Sequence, residues 1–138
     1  MTLKANFTYG SSTSVFVNRK RSGDSLVMGG VAANDTRWTR VLSHRAAQML
    51  WFHLTTHLFP EKSAMVTALV STAPLRGDSR PTITTHITVE EVDNGCFDIV
   101  GWVGDQTWWI QLNPHEARRL WTALDIALYP VGWKGSKH

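Results

Sequence analysis

One segment of this chain is written twice. Asp35 to Pro60 reads DTRWTRVLSHRAAQMLWFHLTTHLFP, and Asp105 to Pro130 reads DQTWWIQLNPHEARRLWTALDIALYP. The two align without a gap at an offset of 70 residues, with nine of 26 positions identical. Chance gives about one or two matches at ordinary residue frequencies. Trp38 with Trp108, Trp51 with Trp121 and Pro60 with Pro130 are among them, so the spacing implies a tandem duplication. Each copy predicts a strand followed by a helix. Trp108, Ile110 and Leu112 alternate with Trp109 and Gln111, which makes one face of the strand apolar. Asn113 then suits an N-cap, Pro114 the first helical position, and Glu116 a reach back to the cap's N–H. Ala117, Leu120, Trp121, Leu124 and Leu128 form a stripe, and Pro130 stops the helix. In the first copy Ser43 is the cap and the helix runs to about Leu58.

The remaining segments read as strands. Leu3 to Tyr9 alternates, Gly10-Ser11-Ser12 reads as a turn, and Ser14 to Lys20 alternates again with Val15 and Val17 inward. Leu26 to Ala33 is a third strand, whose Gly29-Gly30 predicts a bulge or a close backbone approach. The second half offers Ala64 to Thr72, a polar connection from Pro74 to Pro81, Thr82 to Glu90, a hairpin signal at Asp93-Asn94-Gly95, and Phe97 to Val103. Residues 131–138 form a polar tail. The expected class is α+β: two tandem ββββα units, antiparallel sheets each backed by a helix. They form a single domain over 1–138 of two pseudo-repeats, 1–62 and 63–138. At the same offset Val17 falls on Ile87 and Phe16 on His86.

An apolar fraction of 43% and seven Trp require a folded chain. A net charge of +3 is mildly basic and compatible with a polyanion partner. The single Cys96 excludes an internal disulfide and fits a reducing compartment. No apolar run approaches the ~18–20 residues of a membrane span, and MTLKANFTYG lacks the core of a secretory signal. The expectation is an intracellular protein without membrane association, cytoplasmic, or organellar if a transit peptide was removed.

The run Ile110, Leu112, Asn113, Pro114, Leu120 and Leu124 resembles the positive cofactor four transcriptional coactivators. The tandem order of elements resembles the Whirly proteins and the kinetoplastid guide-RNA-binding proteins. That resemblance implies four-stranded antiparallel sheets followed by helices, a family-dimer-like pairing within the chain, and single-stranded DNA or RNA binding.

Sequence-tolerant single-strand binding needs cations along a groove and aromatic faces on which bases stack. The predicted outward sheet faces carry Lys4, Asn6, Phe16, Asn18, Lys20, Arg37, Thr39, His86, Trp102 and Trp109, with Arg19, Arg21, Arg76 and Arg80 on adjoining turns. Trp109 stands out, because Trp108 matches Trp38 and must face inward, which turns Trp109 outward. Trp38, Trp51, Trp108 and Trp121 are assigned to the core. The alternative is a structural or protein-interaction module whose outward aromatics bury against a partner or in a homo-oligomer, which the exposed aromatics lead us to expect. His53 and His57 stand four apart but lack the Glu and third ligand of a zinc site, and no motif surrounds Cys96. The reading therefore includes no enzyme activity, metal or cofactor.

Overall fold

A computed structural model describes residues 6–19, 25–62 and 83–129. Lys4, Lys20, Arg21, Arg76 and Arg80, the expected strand from Ala64 to Thr72 and the tail 131–138 lie outside them. The strands are β1 (Phe7–Arg19), β2 (Leu26–Ala32), β3 (Arg37–Leu42), β4 (Ile83–Thr84), β5 (His86–Glu91), β6 (Phe97–Val103) and β7 (Gln106–Leu112). Helix α1 (His44–Leu58) follows β3, and α2 (Pro114–Leu128) follows β7.

The strands form one seven-stranded sheet in the order β4-β3-β2-β1-β7-β6-β5. This corrects the expectation of two separate antiparallel sheets. Each half contributes a three-stranded antiparallel meander, β1-β2-β3 and β5-β6-β7. Two parallel seams join them: Phe7 to Ser11 of β1 runs beside Trp108 to Gln111 of β7, and β4 runs beside Val41 and Leu42 of β3. A meander alone leaves unpaired edges, and here the outer edges of β3 and β7 find their partners in the other half. Only Thr85 separates β4 from β5, the two ends of the strand order, so the sheet curls until its ends meet.

The two halves repeat this arrangement. In each, one stretch of chain pairs first in parallel with the other half and then antiparallel within its own. In the second half that stretch is β4-Thr85-β5. In the first it is β1 alone, which runs through the expected turn at Gly10-Ser11-Ser12. Gly10 and Ser14 take positive φ (72° and 55°), and the register slips by one residue near each, so β1 bends at bulges rather than turning back.

Matching glycines hold matching tryptophans. Gly30 pairs with Trp38 and Gly101 with Trp108, and each indole lies on its glycine. A Cβ on Gly30 would sit 3.1 Å from Trp38 Cζ2, and one on Gly101 would sit 2.3 Å from Trp108 Cε2. Each indole N–H is donated to a hydroxyl on the crossing strand: Trp38 to Ser12 (3.1 Å) and Trp108 to Thr84 (2.9 Å). The close approach expected at Gly29-Gly30 is thus present, while the bulge lies opposite, in β1.

The caps form as the sequence predicts, with Ser43 Oγ accepting from Ala46 N–H (3.0 Å) and Asn113 Oδ1 from Glu116 N–H (2.8 Å). The Glu116 carboxylate, expected to reach back to the cap's N–H, instead is buried and accepts from Val15 N–H at the β1 bulge (3.3 Å). The helices do not back their own sheets: α1 packs on β5, α2 on β1, and the two on each other. The contact between helices is two-fold in pattern. Trp51 donates to Asp125 Oδ1 (3.2 Å) and Trp121 to Thr55 Oγ1 (2.7 Å). Trp51 meets the Tyr129 ring and Trp121 the Phe59 ring, with centroids 4.8 and 4.7 Å apart. Each partner in one half stands 70 residues from its counterpart, as in an isologous dimer interface. One apolar cluster joins both helix stripes to the inward faces of both meanders. Trp38, Trp51 and Trp108 lie in it, whereas Trp121, expected in the core, is half-buried at its margin.

Candidate functional site

Strand alternation sends one set of side chains into the core and leaves the other on an outer sheet face that neither helix stripe covers. The candidate residues fall on this face in two groups, one per meander. In the first half, Phe16, Gly29 and Thr39 form one cross-strand row. Phe16 is 39% exposed, and a Cβ on Gly29 would stand 2.5 Å from its ring, so the phenyl lies against the glycine. Asn18, Val27 and Val41 form the row on one side, and Val31 pairs with Arg37 on the other. Asn18, Arg37 and Thr39 are exposed.

In the second half the equivalent central row is Thr88, Val100, Trp109 and, across the parallel seam, Thr8. Trp109 faces outward between buried Trp108 and Ile110, and its indole lies beside Gly10, half-buried. His86, Trp102 and Thr107 form the next row, with the His86 and Trp102 rings edge to face at 5.2 Å. Asn6 closes this row: its Oδ1 accepts from Thr107 N–H (2.8 Å), so it fastens β1 to β7. On the other side Glu90 pairs with Asp98 and Asp98 with Gln111, whose amide donates to Asp98 Oδ1 (3.1 Å).

The structure therefore groups Phe16, Asn18, Arg37 and Thr39 on one face and Asn6, His86, Trp102 and Trp109 on another. Thr8 and Phe16 stand eight positions apart on β1, at most about 27 Å along a strand that bends between them. Two other cations are engaged elsewhere. Arg19 donates to Ala127 O at the end of α2 (2.7 Å), where a cation also suits the helix dipole. Arg40 donates to the Tyr9 hydroxyl (2.9 Å) and lies 4.7 Å from the Phe7 ring centre, and Tyr9 in turn stacks on Trp38. Phe7 is 40% exposed.

His57 Nδ1 lies 3.5 Å from Glu91. His53 has its pKa lowered from the ordinary value by burial, then by the neighbouring His57 and His86. Cys96 is half-buried in the turn that leads into β6 rather than within the strand. The hydroxyl acceptors Ser12 and Thr84 carry no sequence signal of their own; only the matched tryptophans point towards them. No family model, curated protein or solved structure matches the chain.

Proposed function

We propose that the chain is a single-stranded nucleic-acid-binding module with little sequence preference, which uses the outer face of its sheet. The observation that carries this reading is Phe16. Its ring stays open to solvent on a sheet face, held against Gly29, two positions along the sheet from the exposed Arg37 guanidinium. An accessible ring beside a cation is what base stacking with phosphate attraction requires. The motif from Ile110 to Pro114, which resembles single-strand-binding coactivators, adds to it, as does the net positive charge.

Fluorescence anisotropy with labelled single-stranded DNA, single-stranded RNA and duplex DNA of about a dozen nucleotides tests the reading. Both single strands should bind more tightly than the duplex, with log K falling against log salt by about 0.7 per phosphate neutralised. Affinity that does not respond to salt, or that is equal for duplex, removes the proposal. Salt-insensitive self-association through the same aromatics would instead favour a protein-interaction module.

A further inference from the structure

The two halves present equivalent faces, but their charges have diverged. Residues 1–62 hold eight Lys and Arg against three Asp and Glu, whereas residues 63–138 hold six against eight. The difference reaches the sheet faces position by position. When Gly30-Trp38 is laid on Gly101-Trp108, Asn18 corresponds to Glu90 and Val27 to Asp98. Glu90 and Asp98 stand directly opposite each other on adjacent strands, an arrangement that like charges disfavour, and among the described residues the Gln111 amide relieves it.

We infer that the polyanion is taken by the first-half face alone, with Phe16 as the stacking platform and Arg37 as the phosphate contact. This rests on the single-strand reading above and assigns it to one of two equivalent surfaces. The row that holds Glu90 and Asp98 lies two residues from the row that holds Trp109, a spacing of about 7 Å. That is inside the screening length of about 8–10 Å at ordinary ionic strength. A base stacked on Trp109 therefore brings its phosphates within reach of two carboxylates. A base stacked on Phe16 meets Asn18, Val27 and Thr39, with Arg37 at the same short spacing. Among the described residues, the outer positions of β1, β2 and β3 carry no carboxylate at all. The larger indoles thus sit on the face that repels the ligand, and the smaller phenyl on the face that attracts it.

A labelled oligothymidylate of about a dozen nucleotides, titrated by anisotropy into the full chain, separates the two surfaces. Phe16→Ala should weaken binding between about fivefold and about 150-fold, the range for loss of one stacked base. Trp109→Ala should leave it within about twofold. Asn18→Glu, at an exposed position, should weaken binding most at low salt and so flatten the fall of log K against log salt. Glu90→Gln with Asp98→Asn should create a second, weaker site and raise the stoichiometry from one strand per chain towards two. Equal losses for Phe16→Ala and Trp109→Ala, at unchanged oligomeric state, overturn the assignment while the single-strand reading stands. A wild-type chain that does not bind the oligonucleotide overturns both.

Discussion

Gly101→Ala should be among the most damaging single-methyl additions in this protein. The new Cβ would lie 2.3 Å from Trp108 Cε2 and Cζ2 and 2.6 Å from Nε1. Carbon atoms in contact sit about 3.5–4.0 Å apart, so the indole must retreat by more than about 1 Å. It has no room to do so. Trp108 is fully buried, Trp38 lies 6.3 Å away centre to centre, and the indole N–H is held by Thr84 at 2.9 Å. Overpacking costs about 1–3 kcal/mol, and pulling a buried N–H from its acceptor adds about 1–3. Relief of glycine's entropy in the unfolded chain returns up to about 1. The net loss is about 1–6 kcal/mol, set against the about 5–15 that holds a domain together. For a chain of 138 residues this lowers Tm by about 3–21 °C. Urea unfolding followed by far-UV circular dichroism reads the loss directly. Gly104→Ala is the control, because among the described residues nothing lies within 4 Å of the new Cβ and its φ of +63° alone resists, at about 1–2 kcal/mol. Trp108→Phe should partly rescue Gly101→Ala, with a coupling of at least about 1 kcal/mol in the double-mutant cycle. If Gly101→Ala costs no more than Gly104→Ala, the glycine does not hold the indole and the argument fails.

Other expectations follow from the same structure. Ser12→Ala and Thr84→Val each strip a tryptophan N–H of its acceptor and should each cost about 1–3 kcal/mol in urea melts; a neutral result at both would show that the hydroxyls are dispensable. Because α1 packs on β5 and α2 on β1, residues 1–62 and 63–138 made as separate polypeptides should each lack cooperative unfolding, and mixing them should restore it. Stability should fall as pH drops below the unfolded histidine value of 6.5, because the unfolded chain protonates first when the folded pKa of His53 is lowered, and the loss should level off below that folded value. His53→Asn should flatten that slope, and an NMR titration that places His53 above 6.5 would contradict it.

The helices and their caps were legible because their signals are local. His44–Leu58 and Pro114–Leu128 occupy the same places in the two copies, and Ser43 and Asn113 cap them as expected. Strand alternation also placed Phe16, His86, Trp102 and Trp109 on the outer side. The seams were not legible, because parallel pairing of residues 42 positions apart in one seam and about a hundred in the other leaves no local pattern. The Gly10 stretch looked like a turn, since positive φ serves a bulge as readily as a reversal. The equivalence of the faces was hidden by two one-residue differences, one of them between Phe16 and Gly29, which stand one residue further apart in sequence than Thr88 and Val100. The β2–β3 hairpin is one residue longer than the β6–β7 hairpin, so Gly30 and Gly101 are 71 apart while their tryptophans are 70 apart. A gapless offset therefore sets Phe16 against His86, whereas the sheet sets it against Thr88.

The parallel seam between β1 and β7 also sets a clock. Asn6 bonds to Thr107, and the bulge N–H of Val15 to Glu116, each across 101 residues of sequence. On a ribosome that adds about 5–20 residues per second, β1 emerges some 5–20 s before the strand and helix that complete it. Throughout that interval its outer edge is open to any extended chain nearby. Refolding from denaturant carries the same burden, since closure of so long a loop must precede the contacts that reward it, and such topologies fold over milliseconds to seconds. The segment most exposed to mispairing in this protein is thus the one that waits longest for its partner.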